Sequence, residues 1–287
     1  MSQLGILFMR LLARFPLRWV RALGWLLGWF LYAVVLPRRH VVRVNLALCF
    51  PEWTDDSRRK LVPKIFIMVA QAWLDRSWLW HGDPEVTRSR LRLTGTVGEL
   101  QGSQPTVLFA PHFVGMDAGW TALTQQVKRK FTGIYTGQSD KVVDAWLLTG
   151  RRRFGSGRAF GRADGVKAIV SALREGDPLY LLPDMNFGPE ESIFVPFYGV
   201  PAATVPSLSR FARLGRAKVV PVVTRLTANG YDVEILPAWD GFPTADMVAD
   251  TALMNLRLQG YIDQMPEQYY WVHKRFKTRP EGHPPVY

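Results

Sequence analysis

The period of apolar and polar positions changes several times along the chain, and each change predicts an element. Thr106 to Ala110 is a short run of β-branched and apolar residues, which predicts a buried strand. Pro111 ends that run because it has no N–H for a ladder. Similar runs predict strands within Leu91–Leu100, Phe131–Thr136, Leu179–Leu182, Lys218–Thr224 and Tyr231–Leu236, the last two joined by an Asn229-Gly230 turn. Helical spacing appears after Ser57 (Leu61, Ile65, Met68, Val69, Ala72, Trp73, Arg76), over Asp164–Gly176, over Ser207–Leu214, and after Thr244 (Met247, Met254, Leu258, Tyr261, Met265). Ser57 and Thr244 are the expected caps. Strand and helix signals alternate, so the expected fold class is α/β, with a mixed, mostly parallel sheet flanked by helices.

The first fifty residues follow a different rule. Arg10, Arg14, Arg18 and Arg21 recur at steps of four, four and three, among Leu7, Leu11, Phe15, Trp19 and Leu23. This is a basic amphipathic segment that Pro16 interrupts. Ala22 to Leu36 then carries no charge, yet as a helix it extends only about 22 Å, short of a hydrocarbon core of about 30 Å. Snorkelling arginines can stretch its reach. Arginines on both flanks leave its orientation open, and no small-x-small site follows it. The expectation is an uncleaved membrane anchor over residues 1–37 and a catalytic domain over 38–287, divided at Pro37–Arg39.

Charge sharpens this picture. The formal net charge of +12 calls for an acidic partner: nucleic acid, anionic lipid or an acidic protein. The arginines and lysines follow no nucleic-acid motif, and the 11 tryptophans favour a lipid interface. Cys49 is the one cysteine, which excludes an internal disulfide and cysteine-rich metal sites. The histidines are scattered, so no metal is expected.

Candidate chemistry gathers at strand ends. His112 follows the Thr106 strand directly and Asp117 comes five residues later, with Gly115 between them. With His112 on the loop and Asp117 in the first turn of a helix, the carboxylate can reach back to one imidazole nitrogen and leave the other as a base. A surface or capping pair is the plain alternative. Arg151, Arg152, Arg153, Arg158 and Arg162 alternate with glycines, a loop suited to phosphate or equally to solvent. There is no P-loop and no nucleophile elbow.

Several segments together resemble one family. His112 to Asp117 matches the HxxxxD box of glycerolipid acyltransferases. Asn45-Leu46 with Cys49-Phe50-Pro51, PDMNFG at 183–188, FVPFYG at 194–199, and PEQYYWVHKRFKTRP at 266–280 resemble the bacterial late acyltransferases of lipid A biosynthesis, the lauroyl and myristoyl transferases. Some relatives carry PDQDFG, so Met185 and Asn186 depart from that version.

The resemblance implies an inner-membrane enzyme with a cytoplasmic active site. It would move an acyl chain from acyl carrier protein to a hydroxyl on a hydroxyacyl chain of a lipid A precursor. His112 would be the base and Asp117 would orient it. No cofactor is expected. Arg153 and Arg162 would hold phosphate on the sugar or the donor, and Asp184 and Asn186 would shape the pocket. Acyl carrier protein and anionic inner-membrane lipids are the expected partners of the basic N-terminal helix and the 273–279 tail. The alternatives are an acyltransferase for another lipid, such as a lysophospholipid, and a non-catalytic basic membrane-binding module.

Overall fold

A computed structural model of the chain describes residues 3–155, 157–161 and 164–287. Seven strands form the main sheet: β1 (Leu91–Gly95), β2 (Thr106–Phe109), β3 (Thr132–Tyr135), β4 (Arg158–Gly161), β5 (Leu179–Leu181), β8 (Lys218–Thr227) and β9 (Gly230–Ile235). Their order is β1-β9-β8-β2-β5-β3-β4, and every pair is parallel except β8 with β9. That exception is the hairpin announced by Asn229-Gly230. A second, two-stranded sheet pairs β6 (Ile193–Phe197) with β7 (Val200–Thr204). Its turn places Tyr198 and Gly199 at positive φ, the geometry a tight hairpin requires.

The pleat sends alternate residues of β2 to opposite faces. Val107 and Phe109 join one core, with α8 (Gly165–Arg174), α9 (Ser207–Gly215) and α10 (Met247–Asp263). Leu108 joins the other, with α6 (Met116–Gln126) and α7 (Lys141–Arg151). Both strand faces are therefore covered, which is why β2 reads as an unbroken apolar run. The long helix α4 (Asp55–His81) serves both cores, Leu61 to Phe66 in the first and Ala72 to Trp80 in the second.

The N-terminal region forms three helices: α1 (Gln3–Leu12), α2 (Leu17–Val34) and α3 (Leu36–Cys49). Pro16 separates the first two as expected. The α2 and α3 axes meet at 91°, and no single described helix is long and apolar enough to cross a membrane. The first two helices lie against the globular part: Met9, Leu12 and Val20 are buried in the second core. A β-carbon at Gly28 would stand 2.4 Å from the Ile67 Cα, so glycine there lets α2 press directly on α4. Arg21 reaches inward to Asp75, Nη2 to Oδ2 at 3.0 Å. The outward face of α1 and α2 stays apolar and exposed, including Leu4, Phe8, Trp19, Trp25, Leu26 and Phe30, and Phe15 in the turn between them is exposed as well.

Two caps differ from expectation. Thr54 caps α4 and receives the Ser57 N–H at 3.2 Å, while Asp246 caps α10 and receives Val248 and Ala249 N–H. Within the basic 273–279 tail Lys274 and Lys277 are exposed, but Arg275 is not a surface charge. Arg275 is only 2% exposed, and its guanidinium donates to the Ala203 carbonyl and Thr204 Oγ1. Phe276 and Trp271 are buried beside it.

Candidate active site

Strands β2 and β5 run parallel and in register, Phe109 opposite Leu181. Three residues beyond each of these come His112 and Asp184. The two loops leave the sheet side by side, at the carboxyl ends of the strands where open α/β folds place their chemistry. His112 Nδ1 lies 2.8 Å from Asp184 Oδ1, and the His112 main-chain N–H points at the same carboxylate. Tyr269 Oη donates to Asp184 Oδ2 at 2.9 Å. The carboxylate is fully buried yet saturated with donors. Burial pushes its pKa up, but the neighbouring imidazole and these hydrogen bonds outweigh that and hold it below the usual value. Against an ionised Asp184 the His112 Nδ1 is the donor, so in the neutral ring the lone pair is on Nε2. That nitrogen has no protein partner among the described residues.

The expected contact between Asp117 and His112 is not made. Asp117 does stand in the first turn of α6, but its carboxylate turns toward two arginines. Arg76 Nε and Nη2 reach Oδ2 at 2.8 and 2.7 Å, and Arg151 Nε reaches Oδ1 at 2.8 Å. Burial raises the Asp117 pKa, but Arg151 and Arg76 overcome it and bring it down to about 2. The reason is direction. One residue into a helix, the side chain projects sideways from α6 toward α4 and α7, not back over the strand end.

His112 and Asp117 both line one cavity of about 610 Å³. Its apolar wall includes Ile134, Ile169, Leu181, Met185, Phe187 and Phe211. The polar part includes Arg152, Arg158, Arg210, Asn186, Tyr270 and His273. The size is within the range of about 300–1,000 Å³ typical of ligand pockets.

The remaining expected site residues divide. Asn186 lines the cavity, and its side chain receives Thr278 Oγ1 and Gly188 N–H. Asp184 lies behind His112 rather than on the wall. Arg153 is turned away: it donates to the carbonyls of Trp78, Leu79 and Gly82 and so closes the C-terminal end of α4. Its assignment to phosphate is corrected by that geometry. Arg162 lies outside the described residues. Arg152, Arg158 and Arg210 have no acidic partner among the described residues. Nothing in their spacing set them apart from their neighbours in sequence.

An imidazole with one nitrogen tied to a buried carboxylate and the other free, beside a largely apolar cavity, is equipment for base-catalysed transfer onto a lipid-sized substrate. The family model described as bacterial lipid A biosynthesis acyltransferase matches residues 1–278. The chain belongs to that family and is an acyltransferase. It is 32% identical to a lipid A biosynthesis acyltransferase of Haemophilus influenzae over 97% of this chain and 88% of the relative. It is also 32% identical to the lipid A biosynthesis lauroyltransferase of Escherichia coli, over 100% of this chain and 94% of the relative. The Escherichia coli myristoyltransferase is 31% identical, over 89% and 80%.

Proposed function

We propose that this enzyme moves a fatty acyl group from acyl carrier protein to a hydroxyl on a hydroxyacyl chain of a lipid A precursor, at the cytoplasmic face of the inner membrane. The observation that carries the reading is His112 on the wall of a largely apolar cavity with Asp184 behind it, in a chain whose relatives are named for lipid A acylation.

His112 Nε2 takes the proton of the acceptor hydroxyl as its oxygen attacks the thioester carbon. Asp184 holds the ring in the tautomer this needs and stabilises the imidazolium. On collapse the C–S bond breaks and the proton passes to the leaving thiolate. Asp117 acts at one remove, by fixing Arg76 and Arg151 around the base of α6. Arg152, Arg158 and Arg210 receive phosphate, either on the lipid or on the donor's phosphopantetheine arm. The acyl chain lies among Ile169, Met185 and Phe211.

The outward face of α1 and α2 rests in one leaflet, with its tryptophans at headgroup depth and Arg10, Arg14 and Arg18 toward lipid phosphates. An acidic carrier protein is drawn to the remaining basic surface.

The test is a mass-spectrometric transfer assay with defined acyl carrier protein thioesters and a purified lipid A precursor. A mass increase of one acyl group, abolished by His112→Ala, is expected. Transfer only to a lysophospholipid offered in parallel would replace the acceptor. No transfer to either would end the reading.

A further inference from the structure

The turn after β5 fixes a second imidazole. Asp184 holds His112, and two residues later the Asn186 main-chain N–H donates to His273 Nε2 at 3.1 Å. A ring nitrogen that accepts from an amide carries no hydrogen, so in neutral His273 the proton is on Nδ1. No protein group accepts from Nδ1 among the described residues, and the ring lines the same cavity as His112. The main chain here is equally constrained. Asn45, fully buried, donates from Nδ2 to the carbonyls of Trp271 at 2.7 Å and His273 at 2.8 Å. Tyr270 N–H donates to the His112 carbonyl at 3.0 Å and ties the two histidine segments together. Burial, then the nearby His112 and Arg275, push the His273 pKa down to about 4, so the ring is neutral at physiological pH.

The cavity wall thus carries two imidazoles of the same Nδ1–H tautomer held by opposite edges: His112 is tied through Nδ1 and offers the Nε2 lone pair, while His273 is tied through Nε2 and offers its Nδ1–H. Acyl transfer needs both. We propose that His273 is a second catalytic imidazole, whose Nδ1–H donates a hydrogen bond to the carbonyl oxygen of the acyl donor as that oxygen becomes negative. This rests on the acyl-transfer reading above.

As the hydroxyl oxygen bonds to the thioester carbon, its proton passes to His112 Nε2. The carbonyl π pair moves onto oxygen, which accepts from His273. On collapse the carbonyl re-forms, the C–S bond breaks, and the thiolate takes the proton from His112. His273 neither gains nor loses a proton. A fixed, neutral donor that needs no reorganisation suits such an oxyanion.

Two measurements on the full chain in lipid nanodiscs test this. Long-range ¹⁵N–¹H correlation spectra with labelled histidine, assigned by comparison with His273→Asn, are expected to show His273 as the Nδ1–H tautomer at neutral pH. An Nε2–H tautomer or an imidazolium overturns the proposal.

His273→Phe is expected to lose about 10²-fold in kcat, with KM changed less than about threefold. His273→Asn, whose amide puts an N–H near the Nδ1 position, is expected to recover part of that loss. If folded His273→Phe keeps kcat within about threefold of wild type, or if only KM rises, the proposal falls. If His273→Phe does not fold, the tautomer spectra and the His273→Asn kinetics decide. An unchanged tautomer with acyl transfer to a different acceptor would sink the lipid A reading and leave the role of His273 standing.

Discussion

His112 Nδ1 and Asp184 Oδ1 lie 2.8 Å apart across a separation of 72 residues, at the ends of neighbouring parallel strands. The carboxylate also meets the His112 main-chain N–H and the Tyr269 hydroxyl, so its position is determined by three donors. Replacing it by asparagine presents an N–H to Nδ1 and favours the wrong tautomer. Asp184→Asn is expected to lower kcat by about 10²–10⁴-fold, close to the loss in His112→Ala, with both proteins folded by circular dichroism. A folded Asp184→Asn with activity within tenfold of wild type would contradict the assignment.

Asp117 has a different failure. Its removal leaves Arg76 and Arg151 facing each other without a counter-charge in a buried place. Asp117→Ala is expected to cost about 3–5 kcal/mol of stability, read as a lower Tm or urea midpoint, along with lost activity. Asp184→Asn and Asp117→Ala are therefore separable: the first acts mainly on kcat, the second on the fold as well.

The same group sets an acid limit. The Asp117 pKa is depressed from 3.8 to about 2 in the folded chain. A depressed carboxylate contributes stability that is fully present above the unfolded value and lost as pH falls through the folded one. The contribution is about 2 kcal/mol, and it disappears between about pH 4 and pH 2. Urea midpoints measured across that window are expected to fall in the wild type. Asp117→Asn is expected to show a shallower decline.

The sheet and the strand-end location of His112 were legible from local pattern, because a strand buried on both faces announces itself as an apolar run and proline stops it. The partner of His112 was not. Only four residues lie between His112 and Asp117, and short spacing suggested a pair. The real partner becomes a neighbour only once β2 and β5 align, and no local period carries a strand order. One signal was available: both residues sit just past the end of a buried strand, in a turn opened by proline (Pro111 and Pro183). The tail misled for a related reason. Lys274 and Lys277 are exposed, but nothing local marks Arg275 as the one charge that Thr204 and the Ala203 carbonyl, on another hairpin, take inside.

Arg152, Arg158 and Arg210 line the cavity without acidic partners among the described residues. Changing any one to glutamine is expected to raise KM for the phosphorylated substrate about tenfold and leave kcat within about threefold, the loss of one charge-assisted hydrogen bond. Titrating each variant separately with lipid precursor and with acyl carrier protein shows which phosphate each guanidinium meets. Arg153→Gln is expected to leave both KM values unchanged and lower the Tm, since its carbonyl partners belong to α4 and the turn after it.

The apolar face of α1 and α2 gives a fifth expectation. Trp19, Trp25 and Phe30 are exposed. Changing all three to serine is expected to shift the protein from sedimenting with anionic vesicles toward the supernatant, while the soluble fraction keeps its Tm. Undiminished sedimentation would remove this face as the membrane contact.

Asp75 and Arg76 are consecutive on α4. The first is held by Arg21 of α2 and by Tyr231, and the second clamps Asp117. Peeling the N-terminal helices off the body would strip Asp75 of its Arg21 ion pair, one peptide bond from the residue whose guanidinium steadies the base of α6. A detergent that pried α2 loose would therefore reach, through one pair of adjacent residues, the clamp beneath α6.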